Sequence, residues 1–129
     1  MTNRRTPPTI EQLADAVRIV RTALHWKPGS AVRHLRRRIG REHLPVGTTL
    51  TEYEAMIRQI VHHTEAQIYI YWHNQTTPYV AIVGNIDEQP WLVMFNLDGI
   101  LESAYVVERP HYYLSEPEFE LICTLGEAL

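Results

Sequence analysis

Apolar residues return along this chain in two rhythms. From Ile10 to Val61 they recur every three or four residues, the period of a helix with one buried face. After residue 66 they gather in short blocks rich in β-branched and aromatic side chains, the texture of strands. In the first half, Thr9 is placed to cap a helix beginning at Ile10, and Gln12 completes a capping box. Leu13, Ala16, Val17, Val20, Ala23 and Leu24 form its apolar stripe, and Pro28-Gly29 stops it. Ser30 caps a second predicted helix over 31–39, with Val32, Leu35 and Ile39 inward and Gly40 as a left-handed stop. Pro45-Val46-Gly47 reads as a loop. Thr51, with Glu54 at the box position, caps a third helix that buries Tyr53, Met56, Ile57, Ile60 and Val61.

In the second half the blocks 67–73, 79–84, 91–97 and 100–107 read as strands. Asp98-Gly99 is a two-residue hairpin signal that sets Phe95 opposite Glu102, Met94 opposite Ser103 and Val93 opposite Ala104. No link is long enough for a crossover helix, so the strands should form a meander. A short helical turn over 110–116 follows, and Phe119, Leu121, Cys123 and Leu125 alternate as a last strand. The expected fold class is therefore α+β, with N-terminal helices followed by a four- to five-stranded antiparallel β-sheet meander. Helices should cover one sheet face and leave the other open to a ligand. Residues 1–8 read as a flexible tail and 9–129 as a single domain.

Composition narrows the class. With 129 residues, 45% hydrophobic and 21% charged, the chain has the make-up of one globular core, not of a disordered polymer. Its apolar runs are too short to span a bilayer, so no membrane partner is expected, and Met1–Pro8 lacks the apolar core of a signal peptide. Cys123 is the sole cysteine, which excludes an intrachain disulfide and fits a reducing, cytoplasmic setting. His62 and His63 are adjacent and cannot share one ion from a helix, and no HExxH run exists, so no metal is expected. No Gly-rich phosphate loop, GxSxG elbow or dinucleotide fingerprint is present, so no cofactor is expected either.

Charge changes the picture. Residues 1–41 carry ten cationic side chains against two carboxylates, whereas residues 63–129 carry one cation, Arg109, against ten carboxylates. Eleven of the twelve cations are arginine, whose planar fork of donors suits phosphate oxygens. On the predicted second helix His34 lies away from the apolar stripe, with Arg37, Arg38 and Arg41 on its side. An imidazole among guanidinium groups can move a proton and hold a phosphodiester, and RNA supplies its own nucleophile in the 2′-hydroxyl. Ser103 and Tyr105 share one face of a late strand, where two hydroxyls can meet phosphate or ribose. Tyr69, Tyr71 and His73 share a face of an earlier strand, where rings can stack on unpaired bases.

Two runs, AVRHLRRRIGREHLP and TTLTEYEAMIRQIV, precede the strand set IYIYW, YVAIVG, WLVMFNLDG and LESAYVV. Together, from Val32 to Val107, they resemble the barnase–colicin–RelE-like superfamily of small ribonuclease toxins, in element order and texture. The resemblance implies a metal-independent endoribonuclease acting on tRNA or mRNA, with a cognate inhibitor or antitoxin as partner. It implies His34 as general acid/base, Arg37 and Arg38 on phosphate, and Ser103 and Tyr105 in the active-site groove. Arg41, His43, Tyr69 and Tyr71 are the expected substrate contacts, His43 because some members carry a second histidine near the helix end. A different class is also open. A non-catalytic antitoxin, immunity-type or adaptor module would work through the acidic residues Glu108, Glu116, Glu118, Glu120 and Glu127.

Overall fold

A computed structural model describes residues 6–129. Residues 1–5 of the expected tail lie outside the described residues, and residues 6–9 form no regular element. The first helix, α1 (Ile10–Thr22), carries the predicted capping box: Thr9 Oγ1 accepts from the Gln12 N–H and Gln12 Oε1 accepts from the Thr9 N–H. The second, α2 (Ser30–Gly40), begins one residue earlier than expected. Gly29, at φ +76°, is its N-cap, and the Ser30 hydroxyl turns back to donate to the Lys27 carbonyl.

The third helix, α3 (Leu50–His62), begins two residues before its predicted start. The run TTLTEYE holds two overlapping capping boxes, and the structure uses Thr49 with Glu52, not Thr51 with Glu54. The earlier box adds Leu50 to the apolar face. It also leaves Glu54 Oε2 to accept from Trp26 Nε1 at 3.0 Å.

Six strands form one sheet: β1 (His25–Trp26), β2 (Gln67–His73), β3 (Thr77–Ile86), β4 (Gln89–Phe95), β5 (Ile100–Val106) and β6 (Phe119–Thr124), in the order β1-β5-β4-β3-β2-β6. Strands β2 to β5 are the predicted meander. The sheet as a whole is mixed and six-stranded, which corrects the expectation of a purely antiparallel sheet of four or five. The difference is β1, which pairs parallel to β5 through only two residues. Two residues show no alternation, so nothing in the apolar pattern marks them.

The hairpin between β4 and β5 also differs from a two-residue turn. The Asn96 Oδ1 accepts from the N–H groups of Asp98 and Ile100, Gly99 donates to the Asn96 carbonyl, and Gly99 adopts φ +80°. The loop is thus Leu97-Asp98-Gly99, and a bulge sets Phe95 opposite Leu101, while Met94–Ser103 and Val93–Ala104 pair as predicted.

The three long helices cover one face. Val17, Val20, Leu35, Tyr53, Ile57 and Ile60 meet Ile68, Ile70, Trp72, Ile82, Val93 and Phe95 in the main core. The opposite face is not open. After β5 the chain crosses it through α4 (Pro110–Tyr113) to reach β6 at the far edge, and then ends in α5 (Leu125–Ala128). Val107 and Phe119, with Tyr113 and Leu114 beside them, pack over Tyr69, Ala81, Leu92 and Met94. Among the described residues no helix is long and apolar enough to cross a membrane.

Candidate anion-binding groove

The orientation of α2 determines what the groove contains. Val32, predicted inward, is 47% exposed, whereas Arg38, predicted outward, is only 5% exposed. The inward stripe runs through Ala31, His34, Leu35, Arg38 and Ile39. A rotation of the helix relative to its most apolar residues was hidden because a histidine and an arginine occupy inward positions.

His34 accordingly does not stand on an open face among arginines. Its ring stacks on Trp26, with centroids 5.7 Å apart and planes 25° from parallel, and Nδ1 is buried without a hydrogen-bond partner among the described residues. Burial holds its pKa below the usual imidazole value, and Arg37, Arg33 and Arg38 push the same way. His34 is not among the residues that line the groove.

The groove lies between the C-terminal half of α2, the end of β5 and α4, and encloses about 560 Å³. Arg37, Arg38, Arg41, His43, Ser103 and Tyr105 all line it, so the structure brings together six of the ten side chains named from sequence for RNA binding or cleavage. The end of α2 supplies the cationic wall. Gly40 is helical, and the left-handed stop is Glu42 at φ +61°. Glu42 donates to the Ile39 carbonyl and His43 to the Arg38 carbonyl, the two bonds of a Schellman motif. That turn swings His43 back beside Arg38.

The side chain of His43 is 7% exposed. Its Nδ1 faces two donors, the Val106 N–H at 3.3 Å and Arg38 Nη1 at 3.5 Å, which places the ring proton on Nε2. Nε2 lies 3.3 Å from Glu108 Oε1, so the imidazole donates to that carboxylate and steadies it at the groove's mouth. Arg38 sits 5.5 Å above the Tyr105 ring, with Nε buried and without a hydrogen-bond partner among the described residues. Burial lowers its pKa, yet a guanidinium keeps its charge at any ordinary pH. The Tyr105 hydroxyl lies 2.5 Å from the Tyr113 hydroxyl; burial and that contact push its pKa well above the usual phenol value. The Ser103 hydroxyl makes no hydrogen bond among the described residues.

No carboxylate among the described residues lies within ion-pairing distance of Arg37, Arg38 or Arg41. A buried cation left without a counter-charge is costly, and two more arginines edge the same groove. Arg109, the one cation of residues 63–129, lines the same groove, as do Glu108 and Glu116. Sequence reasoning missed Arg109 and the role of Glu108. The signal for Arg109 was its isolation, a single arginine in an acidic half, immediately after the strand that carries Ser103 and Tyr105.

Tyr69 and Tyr71 are not free stacking platforms. Phe119 packs edge-on against Tyr69 at 6.2 Å and tilted against Tyr71 at 4.9 Å, because the crossing segment covers this sheet face. Three acidic residues of the rival reading have hydrogen bonds within the molecule while staying exposed. Glu120 Oε1 accepts from Trp72 Nε1 at 2.9 Å, Glu127 completes the capping box of α5, and Glu108 holds His43. Among the described residues no three His, Cys, Asp or Glu side chains come together as a metal site requires. Comparison with known proteins finds no matching family, no matching curated protein and no matching solved structure.

Proposed function

We propose that the groove binds the phosphodiester backbone of RNA and cleaves it by attack of the substrate's own 2′-hydroxyl, without a metal. The observation that supports this reading above others is Arg38, a nearly buried guanidinium without a carboxylate partner, flanked by Arg37 and Arg41. The proton-accepting group is Glu108, whose carboxylate stands 75% exposed at the mouth. Glu108 takes the 2′-hydroxyl proton as the 2′-oxygen bonds to phosphorus. The bond from phosphorus to the 5′-oxygen breaks, and that oxygen takes a proton from solvent. A 2′,3′-cyclic phosphate and a 5′-hydroxyl end result. Charge building on the non-bridging oxygens is met by the arginines. His43 is a positioning residue acting through Glu108, and Ser103 supplies a free hydroxyl for phosphate or ribose. This reading moves the base from His34 to Glu108.

Purified protein incubated with total RNA and a chelator tests it. The expected result is cyclic-phosphate ends, with the rate falling by about 10²–10⁴ in Glu108→Gln, the range for loss of a general base. His34→Gln should keep most activity. Cleavage abolished by the chelator, or equal cleavage by Glu108→Gln, would overturn the mechanism. In cells, an active enzyme of this kind would arrest growth unless an inhibitor protein is co-expressed.

A further inference from the structure

Arg37 and Arg41 belong to a longer feature. Arg33 and Arg37 lie four apart on α2, about 6 Å along its axis, and Arg41 is the C-cap one step further on, its N–H still donating to the Arg37 carbonyl, so the three follow one another along the same ridge. All three are exposed, and none has an ion pair or hydrogen bond to a carboxylate among the described residues. Arg37 and Arg41 line the groove, but Arg33 lies one turn towards the start of the helix and outside it. A row of exposed cations that runs on beyond the groove suits a strand bearing successive phosphates better than a ligand carrying one. Buried Arg38, beside the ridge, gives an independent reason to expect an anion at its groove end.

We infer that the ridge Arg33–Arg37–Arg41 is a track for the backbone of a single-stranded polynucleotide, with Arg33 holding a phosphate beyond the reacting one. The inference rests on the groove reading above and extends it, from a site for one phosphodiester to a footprint several nucleotides long. Length, not base identity, is then what separates a good substrate from a poor one. A dinucleotide fills the groove and leaves Arg33 unused, whereas a longer strand engages all three arginines.

The test measures binding of two 2′-O-methyl ligands, which cannot be cleaved by 2′-attack: a short single-stranded oligonucleotide and a dinucleotide with one phosphodiester. Each is titrated across a range of salt with the wild type, Arg33→Gln and Arg58→Gln, the last removing an exposed arginine of α3. For the oligonucleotide, Arg33→Gln should weaken binding several-fold and reduce the slope of log affinity against log salt by about 0.7, the value for one phosphate contact on a single strand. Its affinity for the dinucleotide should match the wild type, and Arg58→Gln should leave both ligands unchanged. An unchanged slope in Arg33→Gln with a wild type that binds the oligonucleotide would overturn the track and leave the groove standing. An equal loss in Arg58→Gln would also overturn it, since only overall charge would then matter. A wild type that binds neither ligand would overturn the groove reading itself.

Discussion

At the scale of single residues, His34 shows how a tertiary contact can give a side chain a different setting from the one its neighbours in sequence suggest. The sequence puts an imidazole among arginines. The structure puts the same imidazole against Trp26 with one ring nitrogen buried, so its lowered pKa reports burial first and the arginines second. The consequence belongs to stability. A folded-state pKa below the unfolded value of 6.5 means that the unfolded chain binds the proton more readily. The stabilisation is therefore complete above that value and is lost as pH falls from it through the folded pKa. In denaturant melts the wild type should lose stability relative to His34→Phe, which keeps a ring on Trp26, as pH drops from 7 to 5. A wild-type-minus-variant difference that stays flat over that window would show that His34 does not titrate differently on folding.

At the scale of elements, what the sequence revealed depended on whether a local rule acted alone. The capping box of α1 and the pairing of Met94 with Ser103 are local and were legible. The start of α3 was ambiguous because two boxes overlap, and a tertiary hydrogen bond from Trp26 to Glu54 accompanies the choice of Thr49. The inward face of α2 was not legible, since burying Arg38 makes sense only once the groove exists. The β4–β5 hairpin is fixed by a similar tertiary constraint. A Cβ on Gly99 would fall 2.5 Å from Ile19 Cγ2, and its backbone is left-handed. Gly99→Ala should cost about 2–4 kcal/mol from backbone strain plus the clash with α1. Urea unfolding checks this; a change below 0.5 kcal/mol on the urea scale, roughly the size of an ordinary surface substitution, would show that the loop and α1 can part freely.

For the whole molecule, the separation of charge along the chain becomes a meeting of charge in space. The Arg-rich α2 and the end of the acidic half come together at one groove, with Arg109 added to the cationic side and Glu108 facing His43. Six of the ten side chains named for RNA binding or cleavage line the groove. The open sheet face expected for base stacking was lost to the segment from Val107 to Phe119, whose path over the sheet leaves no trace in alternation or charge. Among the described residues the buried Arg38 cation faces the Tyr105 ring and the His43 imidazole but no carboxylate, and in the proposed function an anion completes the site.

That is the claim to test first, by thermal unfolding of wild type and Arg38→Met with and without the 2′-O-methyl oligonucleotide. In the absence of ligand Arg38→Met should be as stable as the wild type or more so, by up to about 1–4 kcal/mol, the range seen when buried charges give way to apolar side chains. Saturating ligand should stabilise the wild type, by about 2.7 kcal/mol at a hundredfold excess over Kd, and stabilise Arg38→Met clearly less at the same concentration. A variant that is markedly less stable without ligand, or that gains as much from the oligonucleotide as the wild type does, would contradict the account.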